Sequence, residues 1–351
     1  MKKKIAVIFG GCSTEYEVSL QSAYSILTVL KDSKKYEPVL IGITREGEWF
    51  HYVGSTEHIA EDTWHKRSDD LRPAMISPDR SKHGMIEFTT KGIKHITLDG
   101  VFPVLHGKNG EDGTLQGLVE LAGIPLIGCN TTASALCMDK DRAHKLVKEA
   151  GIKVPRALVL TKNEAEDFTL VMEKIMNLQY PLFVKPVKAG SSFGISKVFN
   201  SEELKKGLSL AIQHDKEVII EENIEGFEVG CAILGNKELT IGEVDEIELT
   251  KGFFDFTEKY TLKSSKIHMP ARIDKDMAVK IKQAAEIIYK SLGCQGFARV
   301  DMFLTKNGEI VFNEVNTIPG FTSHSRYPNM MKGIGLSYEV ILDRLIELGL
   351  E

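Results

Sequence analysis

Apolar residues in this chain gather in short unbroken runs, and between those runs they recur at helical spacing. Residues 5–9 read IAVIF and stop at Gly10-Gly11, the pattern of a buried strand closed by a turn. Ser13-Thr14 follow, and the spacing predicts a helix over 15–30. Residues 36–43 predict a second strand, 100–105 a third and 123–127 a short return strand. This alternation predicts an α/β layer with a mostly parallel sheet in the first 130 residues or so. Residues 54–95 are charged and weakly periodic. Thr132 is placed to cap a helix over 132–150 that carries Met138-Asp139-Lys140, with Gly151 at its C′ position and Pro155 beyond. Further strands are predicted over 180–184, 195–199, 217–222, 227–234 and 239–247. A helical stripe runs over 277–292, and Ser337 caps the last helix.

The most informative stretch lies near the C-terminal end. Two apolar-rich runs, 300–304 and 309–315, flank Asn307-Gly308. Asn-Gly between such runs predicts a hairpin, because both residues tolerate the positive φ of a type I′ turn. With Asn307 and Gly308 as the two loop residues, Asp301 faces Glu314 and Arg299 faces Asn316, all on one face of the ribbon. Directly opposed like charges destabilise a sheet. Two readings follow. A cation lies between the carboxylates, for which two carboxylates and an amide oxygen are hard ligands suited to Mg²⁺ shared with phosphates. In the other reading the ribbon is solvated and its carboxylates splay into water. A one-residue slip would separate the four side chains.

With 351 residues, 42% hydrophobic and 26% charged, the composition is that of a soluble globular enzyme of one large or two to three smaller domains. A net charge of -5 argues against a broad nucleic-acid footprint and leaves room for local basic pockets. Cys12, Cys129, Cys137, Cys231 and Cys294 form no C-x-x-C pair, which argues against disulfides and zinc and fits a reducing cytoplasm. The run after Lys2-Lys3-Lys4 is too short for a signal peptide, and no stretch reaches the roughly 20 apolar residues of a membrane span.

Candidate chemistry sits at the element ends. Glu15 opens the first helix, where a carboxylate either attracts an amine or simply faces the helix dipole. The loop AGSSFG at 189–194 exposes backbone donors to phosphate oxygens or is a plain hairpin loop; neither a Walker sequence nor G-x-G-x-x-G is present. The strand EVIIEE at 217–222 ends in acceptors suited to an adenine amine or ribose hydroxyls. Residues 254–266 form a candidate mobile loop carrying Lys259 and Tyr260. The turn at 316–320 places backbone donors beside the proposed metal. His51, His58 and His65 recur at intervals of seven and read as scattered surface histidines.

Taken in order, GGCSTEYEVS, LHGKNGEDGTLQG, SALCMDK, FVKPVKAGSSFG, GFARVDMFL and FNEVNTIPGFTSHSRYP resemble the D-alanine–D-alanine ligases of the ATP-grasp superfamily over nearly the whole chain. The resemblance implies an α/β and α+β fold in three parts, over 1–130, 131–226 and 227–351, with ATP between the second and third. It implies that Lys140 and Lys185 contact ATP and that Ser191 and Ser192 lie in the phosphate-covering loop. Glu221, Glu222, Ile224 and Glu228 would line the adenosine pocket, and Lys259 would approach the γ-phosphate. Asp301, Glu314 and Asn316 would bind two Mg²⁺ or Mn²⁺ ions. Glu15 would hold the ammonium of the first D-alanine, linked through Ser191 to Tyr260, with His106 nearby. Arg299 and the Gly320 N–H would form an oxyanion site, and Ser325 would hold the second substrate's carboxylate. The segment at 253–273 and SRYPNMM look like the D-alanine–D-serine ligases of the VanG and VanC types, which marks Phe254 and Arg326, with Asp245, as shaping the second pocket. The alternative is a D-alanine–D-alanine ligase of normal wall synthesis. Family analogy also implies a cytoplasmic homodimer. A non-catalytic nucleotide-binding regulator is disfavoured by the intact Lys185, Arg299, Asp301, Glu314 and Asn316.

Overall fold

The computed structural model describes residues 1–190, 193–249 and 265–351. Three sheets carry the chain. The first joins β1 (Lys3–Gly10), β2 (Tyr36–Ile43), β3 (Trp49–Tyr52), β4 (Leu71–Ile76), β5 (Gly84–Thr89), β6 (Gly92–Thr97) and β7 (Gly100–Pro103) in the order β6-β5-β4-β3-β2-β1-β7. Its parallel part is confined to β2, β1 and β7; the other neighbours run antiparallel. The helix Tyr16–Leu30 supplies the crossover that the parallel pairing of β1 and β2 requires. Short loops join β2 to β3, β4 to β5 and β5 to β6 and return the chain antiparallel, and the longer segment 53–70 also returns it antiparallel. The sequence pattern gave no sign of β4 to β6, because β6 is exposed on both faces and Pro73 interrupts β4. The strand expected over 123–127 is a single parallel bridge from Leu126 to Val101: Pro125 has no N–H, and Gly128 turns the chain at φ 119°.

The second sheet orders β8 (Ala157–Thr161), β9 (Leu182–Pro186), β10 (Ser196–Val198) and β11 (Glu217–Glu222) as β10-β9-β11-β8. The third orders β12 (Gly226–Gly235), β13 (Leu239–Leu249), β14 (Ser265–His268), β15 (Phe297–Thr305) and β16 (Ile310–Asn316) as β14-β13-β12-β15-β16. The single helix expected over 132–150 is two, Thr131–Met138 and Lys140–Glu149. Asn130, not Thr132, caps the first by accepting from Ala133 N–H. Asp139 breaks the run at ψ 98° and caps the second helix by accepting from Arg142 N–H. Lys140 is thereby the first residue of a helix, tied to Val187 by its backbone N–H at 3.2 Å. Ser337 caps the last helix, Tyr338–Leu350, as expected.

One core joins the two ends of the chain. Ile5, Val7 and Phe9 of β1 pack in the same cluster as Ala232, Phe297, Tyr327 and Ile341, Leu342, Leu345 and Ile346 of the last helix. Among the described residues no helix is long and apolar enough to cross a membrane.

Candidate active site

β15 and β16 place Arg299 opposite Asn316 and Asp301 opposite Glu314, the register the sequence implied. The route to it differs. Gly308 N–H donates to Thr305 O at 3.0 Å and Thr305 N–H to Glu309 O at 2.9 Å, so the loop has three residues, Lys306-Asn307-Gly308, with only Gly308 at positive φ (76°). A three-residue loop with glycine in the left-handed region is the next commonest hairpin solution after the two-residue turn. It pairs Leu304 with Ile310 and Met302 with Phe312, one residue away from the expected register. A bulge at Asn313 then restores the pairing before Glu314.

On this face Asp301 is buried and heavily compensated. Arg299 donates to it through Nε (2.9 and 3.0 Å) and a terminal nitrogen (2.7 Å), and the Asn316 amide nitrogen donates at 2.9 Å. Arg326 approaches its other side at 3.3 Å. Arg326 is itself a hub. It forks onto Asp245 at 2.7 and 2.8 Å and donates to Glu228 at 3.1 Å. Burial works against both guanidinium charges, and Asp245 and Asp301 outweigh it, holding both pKa values above the usual arginine value.

The N-terminal side of the site is built by a loop and a turn that lock together. His106 Nδ1 faces the Ile318 carbonyl at 2.8 Å, so that nitrogen carries the proton; Nε2, 3.2 Å from Ser22 Oγ, accepts from the hydroxyl. Ser22 Oγ in turn accepts from Phe321 N–H at 3.2 Å. Burial keeps the His106 pKa low. Glu111 accepts from Gly107 N–H (2.8 Å) and Ile318 N–H (3.0 Å), so side chains of one loop hold both backbone polar groups of Ile318. Burial, and then the neighbouring Glu15 charge, push the Glu111 carboxyl up to about 8 against those two donors. Glu111 was missed as a site residue. Its signal lay five residues after His106 in an acidic, glycine-rich loop.

Glu15 stands at the start of its helix without capping it. Its carboxylate lies against Gly107 and Gly190: a Cβ on either would sit 2.5 or 3.0 Å from Glu15 Oε2. Glu15 therefore meets the root of the 189–194 loop. Lys140 Nζ holds that root by donating to Ala189 O at 2.8 Å. Ser325 Oγ accepts from Thr322 N–H at 3.0 Å and leaves the N-terminus of the helix Arg326–Gly333 uncapped by its side chain, a position that favours an anion.

On the second sheet, Lys185 and Glu221 share a face of β9 and β11, with Lys185 Nζ donating to Glu221 at 2.6 Å. Burial works to raise the Glu221 pKa, and the charge and hydrogen bond of Lys185, together with His144 and Lys140, outweigh it and hold the carboxyl below its usual value. Glu222 pairs with Arg156 at 3.4 Å and Ile224 is half-buried beyond the strand end.

A cavity of about 590 Å³ gathers Glu15 and His106 from the segments after β1 and β7, Arg299, Glu314 and Asn316 from β15 and β16, Gly320 and Ser325 from the turn beyond, and Lys140 and Arg326 from the starts of the helices Lys140–Glu149 and Arg326–Gly333. Asp301 and Asp245 lie behind the two arginines, and Lys185 with Glu221 forms a separate group. Ser191, Ser192, Phe254, Lys259 and Tyr260 fall outside the described residues. Asp301, Glu314 and Asn316 project from one face and offer the hard oxygen donors that suit Mg²⁺. Asn316 gives its nitrogen to Asp301 and so keeps its oxygen for a cation, whereas both Asp301 oxygens already accept from Arg299.

The family pattern described as D-ala D-ala ligase N-terminus matches residues 4–129, and that described as D-ala D-ala ligase C-terminus matches residues 146–347. The Vancomycin C-type resistance protein VanC1 of Enterococcus gallinarum is 45% identical over 352 residues, covering 99% of either chain. A D-alanine–D-alanine ligase of Caldicellulosiruptor bescii is 44% identical over 353 residues, 100% of this chain and 96% of that one. The crystal structure of the VanG D-Ala:D-Ser ligase from Enterococcus faecalis superimposes with a TM-score of 0.92 at 61% identity, over 99% of this chain and 100% of that one.

Proposed function

This chain belongs to the D-alanine–D-alanine ligase family, and from that membership we propose that it joins D-alanine to D-serine at the expense of ATP, giving the altered wall precursor of vancomycin resistance. The observation that carries the choice of D-serine is Arg326. A buried guanidinium backed by Asp245 walls the cavity where a D-alanine methyl would favour an apolar side chain. A hydroxyl taken from water needs such a partner, and a site built for it rejects the analogue that lacks it. The 61% identity to the VanG D-Ala:D-Ser ligase supports the same reading.

In this reading Glu15 takes the ammonium of the first D-alanine, and the wall of His106, Glu111 and the 316–320 turn fixes its pose. The substrate carboxylate attacks the γ-phosphorus of ATP, releasing ADP and leaving an acyl phosphate, which makes a poor acyl donor a good one. Lys140, Lys185 and Lys259 hold the nucleotide's phosphates, with Ser191 and Ser192 in the covering loop and Glu221, Glu222, Ile224 and Glu228 around the adenosine. Mg²⁺ held by Asp301, Glu314 and Asn316 would supply neutralisation of charge on the transferring group. The second substrate's carboxylate lies at Ser325 and the N-terminus of its helix, with Phe254 and Arg326 beside its side chain. Its amine attacks the acyl carbon, the oxyanion meets Arg299 and Gly320 N–H, and phosphate leaves. Closure of the 254–266 loop, with Tyr260, protects the acyl phosphate from water.

A competition assay tests the proposal. Equal D-alanine and D-serine with ATP and Mg²⁺, with products weighed by mass spectrometry, should give mainly D-alanyl-D-serine. Mainly D-alanyl-D-alanine would make the chain a housekeeping ligase, the reading that the Caldicellulosiruptor bescii relative favours.

A further inference from the structure

Glu221 has two oxygens in different situations. Oε2 accepts from Lys185 at 2.6 Å. Oε1 is buried and has no hydrogen-bond partner, and neither has the buried Nδ1 of His144, 3.9 Å away. His144 stands on the helix Lys140–Glu149, one turn after Lys140, with its ring edge against Phe312. Its Nε2 lies 3.4 Å from the carbonyl oxygen of Asn313, the bulged residue of β16. A carbonyl only accepts, so Nε2 carries the proton of the neutral ring and Nδ1 turns a lone pair toward a carboxylate. Two buried acceptors facing each other make a poor resting contact, stable only while Lys185 supplies the compensating charge.

Assignment of the nucleotide to Lys185, taken from the proposed function, gives this arrangement a purpose. When Lys185 Nζ turns to the phosphates, Glu221 loses its counter-ion inside the protein. We propose that His144 then replaces Lys185 as the partner of Glu221: the imidazole takes one proton from solvent at Nδ1 and donates it to Oε1, keeping its Nε2–H toward Asn313. No covalent bond changes except the new N–H, and the net result is the uptake of one proton per nucleotide bound. His144 is thus a positioning residue. It keeps the Glu221 carboxylate fixed while Lys185 is employed elsewhere, and it links β11 to the bulge of the metal-binding ribbon.

The charged groups around His144 act in the required sense. Burial, then Lys185 and Lys140, hold its pKa below the usual value, while Glu221 and the Asn313 carbonyl act in the opposite direction. Phosphates that neutralise both lysines remove two of the three opposing influences and leave Glu221 in place. By linkage, affinity for the nucleotide then falls as pH rises, by up to about tenfold per pH unit between the free and bound pKa values of His144.

The experiment is calorimetric titration of the full chain with MgADP at pH 7.5, in buffers of low and high ionisation enthalpy. The expected result is a buffer-dependent heat that reports proton uptake in excess of the nucleotide's own. His144→Gln should lose that excess and bind roughly tenfold more weakly, the order expected for a buried charge left with a poorer partner. His144→Lys carries a fixed charge and should restore affinity with no excess uptake and a flat pH profile. Binding without excess uptake in the parent, or the same uptake in His144→Gln, overturns the inference and leaves the nucleotide site standing. Absence of any binding heat in any buffer, with no protection of the chain against thermal unfolding, overturns the nucleotide reading itself.

Discussion

The ribbon β15–β16 and the pair β9–β11 both bring charged side chains together on one face of neighbouring antiparallel strands, yet they are balanced differently. On the ribbon, Asp301 is held by two arginines and an amide, and Arg326 by two further carboxylates. Asp301 and Arg326 each have more than one partner, and Arg299 and Asp245 are held through them. On β11, Glu221 has one salt bridge and one oxygen without a hydrogen bond. The difference is one of timing. A network with redundant partners is set before the substrates arrive, whereas a single pair facing a silent histidine is a holding arrangement that the ligand exchanges. Pre-set charge suits groups that stabilise a transition state, and exchangeable charge suits groups that admit a nucleotide.

The sharpest test of the ribbon is Glu314→Gln. Loss of a metal-bridging charge should lower turnover by about a thousandfold, the equivalent of several kcal/mol of transition-state stabilisation. ADP release at the parent rate would show that the ribbon face does not hold the catalytic cation. Next in size is Arg326→Leu, which leaves Asp245 without the fork that holds it. Breaking a buried pair on one side should cost about 3–5 kcal/mol of stability by urea unfolding. It should also lower the preference for D-serine over D-alanine by about a hundredfold. An unchanged product ratio in a folded variant would move the specificity away from Arg326. Tyr260→Phe probes closure rather than charge: dipeptide formed per ADP should drop by a factor of about 2–10 as water intercepts the acyl phosphate. A parent-like ratio would remove Tyr260 from the lid.

The smallest effect is the pH slope of stability. His106 is held below its ordinary pKa by burial, so the unfolded chain binds the proton more tightly. Its contribution is fully present above the unfolded value of about 6.5 and is lost as pH falls through the lower folded value. Glu111, raised to about 8 by burial, works in the opposite sense over the same range, so the test is the difference between chains. Between pH 7 and pH 5 His106→Gln should lose less melting temperature, or gain more, than the parent, while His144, shifted in the same direction as His106, keeps its part in both. An identical slope in the variant would count against a buried neutral His106.

How much of this was legible beforehand depends on the range of the interaction. The pairing of Asp301 with Glu314 is local, and the alternation of the ribbon gave it correctly although both the turn and the bulge were invisible. Two one-residue departures of opposite sense cancelled, and a sequence pattern does not distinguish that from no departure at all. The break at Asp139 was missed because helical periodicity continues across it, while the cap that restarts the helix is a property of one side chain. Arg326 and Asp245 were each marked, but their fork joins residues 81 apart and no local rule predicts it. Glu111 and His144 went unmarked for the same reason. Their partners, Ile318, Glu221 and Asn313, lie far along the chain.

The shared core of β1 and the last helix has a consequence for how the protein comes off the ribosome. Val7 and Phe9 are made about 330 residues before Leu342, Leu345 and Ile346, which belong to the same buried core. At about 5–20 residues per second, the part of that core which the last helix completes waits tens of seconds for its partner, while the helix Tyr16–Leu30 is available to β1 from the start. The shared core is thus incomplete during most of synthesis, a client for holdase chaperones, and deleting the helix Tyr338–Leu350 should make the chain aggregate even though that helix contributes no residue to the cavity.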